Sequence, residues 1–138
     1  MSPIVKIPFL ISQKEEDTSM TKQISVTKIF KFEMAHQLGS CYSSECLQIH
    51  GHSYKLEVTF AGPLNKDGMV MDFKELKEIV QPIVDRLDHS FLTTENYGCN
   101  PTAENMAKKI FGEIREKSPL ILCIRLYETD TCFVDVHY

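Results

Sequence analysis

From Ile24 the chain alternates. Ile24, Val26, Phe30 and Phe32 fall on one parity and Ser25, Thr27 and Lys31 on the other, which is the period of a half-buried strand. The same parity continues through Met34 to His36. A second alternation runs from Ser53 to Ala61, with Tyr54, Leu56, Val58 and Phe60 set against Lys55, Glu57 and Thr59. His50 and His52 share the parity of that apolar set. The loop between these strands, about a dozen residues, is long for a hairpin, and such loops in compact domains are often functional. Asn65-Lys66-Asp67-Gly68 reads as a turn. The period then changes to helical: Asp72 is a good N-cap with Glu75 three residues on, and Phe73, Leu76, Val80, Ile83, Val84 and Leu87 form one stripe. Pro82, inside that stripe, is expected to bend the helix. A second helix follows Asn100-Pro101, read as cap and first helical residue, with a stripe of Ala103, Met106, Ala107, Ile110, Phe111 and Ile114. Two strands, Leu120 to Glu128 and Cys132 to Tyr138, close the chain around Thr129-Asp130-Thr131. The predicted order is β-β-α-α-β-β, with room for a short strand at Met69 to Met71. This is an α+β architecture, a four-stranded antiparallel sheet with two helices on one face.

Composition narrows the function classes. A chain of 138 residues with 43% hydrophobic and 25% charged residues has the make-up of one ordinary globular domain. Residues 1–23 read as an N-terminal extension, with a polar linker from Ser12 to Lys22 and an alternative start at Met20; residues 24–138 form the domain. The formal net charge is −4 and no basic block stands out, so nucleic acid is not an expected partner. The apolar run Ile7 to Ile11 is far too short to span a membrane, and none is expected as a partner. Five cysteines form no dense framework of pairs, which points to a reducing, cytoplasmic setting.

The candidate chemistry gathers around Cys46-Leu47-Gln48-Ile49-His50-Gly51-His52. His50 and His52 share a strand face, and His36 matches them in parity on the neighbouring strand. Three histidines leave a fourth position for water or substrate, the pattern of catalytic rather than structural zinc. Cys46, in the loop before them, is a candidate nucleophile or base whose thiolate a nearby cation would favour. Cys41 is a rival thiol, and Glu45 is a carboxylate able to act as a base instead. Asp88-His89 ends the first helix, where a histidine also suits the helix dipole; its functional reading is a carboxylate orienting an imidazole for proton transfer. Glu128 ends the apolar parity of its strand, set by Leu122, Ile124 and Leu126. A buried carboxylate needs a partner. The guanidine-like edge of a pterin or guanine supplies one, through two parallel N–H donors.

Taken in order, Phe32-Glu33-Met34-Ala35-His36, Cys46 to His52 with Ser53-Tyr54, Gly68 to Phe73, Leu87-Asp88-His89, Pro101-Thr102-Ala103-Glu104-Asn105 and Tyr127-Glu128-Thr129 resemble the 6-pyruvoyl-tetrahydropterin synthase / 6-carboxytetrahydropterin synthase family. The resemblance runs from about Val26 to Tyr138. It implies the tunnelling fold, zinc held by His36, His50 and His52, catalysis by Cys46 with Asp88 and His89, and a pterin ring anchored by Glu128 with help from Thr102. Thr93-Thr94-Glu95-Asn96 is similar to the Thr102 motif but is set aside because no amphipathic helix follows it. The implied substrate is 7,8-dihydroneopterin triphosphate, whose side-chain hydroxyls zinc would hold and acidify.

Within the family the Cys-x-x-x-His-Gly-His spacing resembles the branch that makes 6-carboxytetrahydropterin, acetaldehyde and triphosphate on the way to queuosine and other deazapurines. The pyruvoyl branch tends to carry a longer gap. A third, folate-linked branch uses a glutamate in this loop, and Glu45 keeps that activity open. A non-catalytic pterin or purine binder on the same fold is the alternative from another class. The resemblance also implies a homo-oligomer, a trimer or a hexamer, whose sheets join into a barrel with active sites between subunits.

Overall fold

β1 (Ser25–His36) and β2 (His50–Ala61) pair antiparallel along their whole length, Ser25 opposite Ala61 and His36 opposite His50. β2 pairs with β4 (Ile121–Thr129), and β4 with β5 (Cys132–His137), both antiparallel. The computed structural model describes residues 22–138; the expected extension, residues 1–23, lies outside them apart from Lys22 and Gln23. Two long helices, α1 (Phe73–Leu87) and α3 (Ala103–Lys117), pack on the sheet, α1 against β1 and α3 against β4 and β5.

The alternation decides which face is buried. Phe30, Phe32, Met34, Tyr54, Leu56, Val58, Phe60, Ile124 and Leu126 all lie in one core with Leu76, Val80, Met106, Ile110 and Ile114 of the helices. Phe32 and Tyr54, directly opposed on β1 and β2, stack with ring centroids 5.0 Å apart. Leu56 is fully buried. Leu56→Ala is expected to cost about 2–5 kcal/mol, the transfer loss plus a cavity between sheet and helices. A denaturant midpoint that falls at unchanged slope checks it. At the exposed ends of the two helices Arg86 grips Glu113 through both carboxylate oxygens, at 2.7 and 2.8 Å.

The sheet has five strands rather than the expected four. The extra strand, β3 (Phe91–Leu92), pairs parallel with Ala35 and His36, giving the order β3-β1-β2-β4-β5. Two residues carry no readable period; this strand exists because the turn after α1 docks on β1, with Ala35 N–H bonded to Ser90 O and Gln37 N–H to Leu92 O, each at 3.0 Å. A third, four-residue helix, α2 (Thr94–Tyr97), follows it. Thr93 and Asn96 form its capping box, so the Thr-Thr-Glu-Asn run set aside above does start a helix, one too short for a stripe.

Other local expectations shift for physical reasons. Met69 to Met71 forms no strand, although Val70 and Met71 are buried in the core. Phe73 stands 55% exposed outside the stripe of α1. A bulge between Thr59 and Phe60 slips the register with β4, so Ile121 rather than Leu122 fills the core position opposite Phe60. α3 starts two residues after Pro101 and is capped by Thr102, whose hydroxyl accepts from Asn105 N–H at 3.1 Å. Among the described residues no helix is long and apolar enough to cross a membrane.

Candidate metal centre and active site

His36 ends β1 and His50 begins β2, directly across from it; His52 lies opposite Met34. The pleat that buries Phe32 and Tyr54 therefore delivers all three imidazoles to one end of the core face. Their ligand atoms lie within 4.8 Å of one another. Burial keeps His36 and His52 below the usual histidine pKa, the neutral form a metal needs.

The backbone fixes the tautomers. His36 Nδ1 is 2.8 Å from the Pro101 carbonyl and His50 Nδ1 is 2.7 Å from the Gln48 carbonyl. A carbonyl only accepts, so in both rings Nδ1 carries the proton and Nε2 presents a lone pair. Those two Nε2 atoms are 3.0 Å apart. Two lone pairs at that distance repel unless a cation lies between them. His52 Nε2 is buried with no hydrogen-bond partner, which is costly for a polar atom. A tetrahedral zinc with bonds of roughly 2.0–2.1 Å holds its nitrogens about 3.3 Å apart. The three residues fit such an ion, and its fourth position would be open.

Glu128 follows Leu126 and Ile124 on the same face and stops beside this cluster. Its carboxylate oxygens are 3.9 Å from His36 Nε2 and 3.9 Å from His52 Nε2. Because burial holds both histidines neutral, these are approaches rather than ion pairs.

The loop that carries Cys46 leaves from His36 and returns at His50. It is pinned at several points: Leu38 N–H to Cys46 O at 3.4 Å, the Gln37 side chain to Leu47 O at 3.1 Å, and Asn100 to both Gly39 N–H and Ser40 O at 2.8 and 2.9 Å. Asn100, expected as a helix cap, instead clamps this loop, and Asn105 holds the Asn100 carbonyl at 2.9 Å. A Cβ at Gly39 would meet the Thr94 hydroxyl at 2.7 Å, so a larger residue there would force a shift. Cys46 sits in a 3-10 turn, Ser44–Leu47. The Ser43 hydroxyl, 3.3 Å from its sulfur, and then Cys41 hold its thiol below the usual range.

Asp88 and His89 form a separate corner. Asp88 caps α1 by donating its N–H to Val84 O and accepts Glu33 N–H at 2.9 Å. That hydrogen bond holds its carboxyl below the usual carboxylate range. His89 adopts a left-handed φ of 61°, an uncommon conformation for a side-chain-bearing residue. A short bond from its N–H to Glu33 O helps fix it there. Its ring nitrogen Nδ1 lies 3.1 Å from Asp88, while the side chain is 81% exposed. Among the described residues no hydrogen bond links this corner to Cys46. It lines a cavity of about 530 Å³ with Glu33, Ser53 and Phe91.

The structure thus gathers His36, His50, His52 and Glu128, holds Cys46 on the loop between two of them, and puts Thr102 at the cap next to Pro101. Sequence reasoning missed Pro101, Gln48, Ser43 and the Asn100–Asn105 clamp. The two carbonyls have no side-chain signature, and Asn100 could only be read locally.

An α+β sheet-and-helix domain with three histidines at its strand ends, placed so that they could hold one metal ion, defines the class. The profile of the 6-pyruvoyl tetrahydropterin synthase family matches residues 25–137, and the chain belongs to that family. It is 35% identical over 136 residues to a 6-carboxy-5,6,7,8-tetrahydropterin synthase of Haemophilus influenzae, covering 80% of this chain and 96% of the relative. It is 34% identical over 105 residues to a putative 6-carboxy-5,6,7,8-tetrahydropterin synthase of Archaeoglobus fulgidus, covering 76% and 88%. The solved 6-pyruvoyl tetrahydropterin synthase of Caenorhabditis elegans shares the fold, with a TM-score of 0.74 at 24% identity over 85% of this chain and 96% of that one.

Proposed function

We propose that the chain is a zinc-dependent 6-carboxytetrahydropterin synthase, a lyase that converts 7,8-dihydroneopterin triphosphate to 6-carboxy-5,6,7,8-tetrahydropterin, acetaldehyde and triphosphate on the queuosine route in the cytoplasm. The observation that carries the reading is the loop from His36 to His50: it suspends Cys46 four residues before His50, between two convergent nitrogen ligands. The relatives named for this activity, matched over 96% and 88% of their lengths, support the same branch.

His36, His50 and His52 would hold the ion. When bound, zinc supplies a Lewis acid for the hydroxyls of the substrate side chain. Cys46, with its pKa lowered, takes and returns protons at the side-chain carbons. His89 does so in the opposite sense, oriented by Asp88, which fixes Nδ1 and leaves Nε2 facing outward. Glu128 anchors the guanidine-like edge of the pterin, and the Thr102 hydroxyl keeps its proton free to donate while it caps α3.

We also propose a homo-oligomer, trimer or hexamer. Among the described residues β5 is an open edge, and β3 covers only Ala35 and His36 of β1, so most of β1 is open as well. Two exposed edges on one sheet invite pairing between copies. An exposed His89 unconnected to Cys46 in its own chain suits an active site completed by a neighbouring copy.

The experiment is incubation of the metal-loaded protein with 7,8-dihydroneopterin triphosphate, with products identified by mass. 6-Carboxytetrahydropterin and acetaldehyde are expected. Dominant pyruvoyl-tetrahydropterin, or hydroxymethyl-dihydropterin made with Glu45 as base, overturns the branch. Tight pterin binding without conversion, in protein purified free of zinc, makes it a binder. Glu128→Gln is expected to weaken pterin affinity with zinc content unchanged, read by titration calorimetry and metal analysis. Unchanged affinity, or lost zinc, would sink its anchoring role.

A further inference from the structure

Cys46 has a thiol neighbour that the proposed reaction does not use. Cys41 and Cys46 are both half-buried and both converge on Ser43. The Cys41 thiol donates to the Ser43 carbonyl at 2.9 Å. The Cys46 N–H donates to that same carbonyl at 3.2 Å. The Ser43 hydroxyl then meets the Cys46 sulfur at 3.3 Å. One residue therefore holds two thiols together at the mouth of the loop. Their acidities are driven apart: Ser43 and then Cys41 lower Cys46, while desolvation and then Cys46 raise Cys41. The more acidic thiol of the pair, Cys46, thus stands beside the less acidic one, Cys41. The 3-10 turn that bears Cys46 buries none of its residues, so it can reshape without disturbing the core.

We propose that Cys41 is a resolving thiol and that Cys46 is a reversible oxidation site, the two closing a disulfide that takes the catalytic thiol out of service. The loss of activity rests on the reading of Cys46 given above; the disulfide does not. With hydrogen peroxide as oxidant the steps balance. The Cys46 thiolate attacks one peroxide oxygen, the O–O bond breaks, and with one proton the products are a sulfenic acid and water. Cys41 then attacks the sulfenic sulfur as its proton leaves; the S–S bond forms, the S–O bond breaks, and a second water departs. Two thiols and one peroxide give one disulfide and two waters. Without a resolving thiol a sulfenic acid climbs to sulfinic acid, which dithiols do not reverse. Cys41 thus turns irreversible damage at a low-pKa thiol into an off state that thiol reductants reset.

The test treats the metal-loaded protein with hydrogen peroxide, blocks remaining thiols by alkylation and maps peptides by mass. A Cys41–Cys46 crosslink is expected, with turnover lost in one-to-one proportion to the crosslinked fraction and regained with dithiothreitol. Turnover of Cys41→Ser is read against its own value before oxidation, because Cys41 helps hold the Cys46 thiol below its usual range. After the same dose this variant should hold Cys46 as sulfinic acid and stay inactive in dithiothreitol. Sulfinic Cys46 beside a free Cys41 in the natural chain, or full recovery of oxidised Cys41→Ser, would overturn the proposal. The peptide map does not depend on turnover. A crosslink in a chain whose Cys46→Ala variant keeps its activity supports the oxidation site and sinks only the catalytic reading. A Cys46-dependent enzyme that forms no crosslink sinks the oxidation site alone.

Discussion

Replacing His50 with alanine is expected to strip the metal and abolish turnover together. The ring supplies one of three converging nitrogens, and its Nε2 faces that of His36 at 3.0 Å. Losing an outer-shell partner of a metal ligand typically costs roughly 10–100-fold in metal affinity, and losing the ligand itself should cost more. Fold stability is expected to survive, because His50 is only half-buried at the start of β2 and belongs to no part of the core. Zinc per chain by elemental analysis, turnover and a thermal unfolding curve separate these effects. A His50→Ala protein that retains one zinc per chain would remove this residue from the centre. The Gln48 carbonyl that fixes His50 cannot be deleted by mutation, so the ligand itself is the direct test.

Replacing Cys46 with alanine is expected to give the opposite split, metal kept and turnover lost. The thiol lies on the loop and is not among the converging ligand atoms. Its proposed role is proton transfer, and a positioned group of that kind contributes on the order of 10²–10⁴-fold in rate. The fall should appear in kcat with zinc content and pterin affinity unchanged, since neither the histidines nor Glu128 depend on the sulfur. Full activity in Cys46→Ala would pass the role to Glu45, which abuts it, or to Cys41.

Much of this site was legible because strand parity is a strict rule. Side chains two apart on a strand share a face, so the alternation through Phe30, Phe32 and Met34 already puts His36 with the core, and that of Tyr54, Leu56 and Val58 does the same for His50 and His52. The same rule carries Ile124 and Leu126 on to Glu128. It failed at Leu122, where a bulge slipped the register, and it had no purchase on β3, which is two residues long. Asn100 shows a different failure. Beside a proline it reads as a helix cap, yet its side chain reaches across sixty residues of chain to hold the Cys46 loop.

The sequence by itself determined the long strands, the two main helices, the buried face and the shared parity of three histidines, because hydrophobic period is local and repeats often enough to read. Only the tertiary structure decided that His36 and His50 stand directly opposite, that Glu128 ends beside them, and that the Pro101 and Gln48 carbonyls leave Nε2 of His36 and His50 free for a metal. It also set His89 in an exposed, left-handed conformation beside Asp88, with no hydrogen bond to Cys46 among the described residues. Those features depend on register, on a backbone carbonyl's position and on contacts between distant segments. None of them leaves a period along the chain.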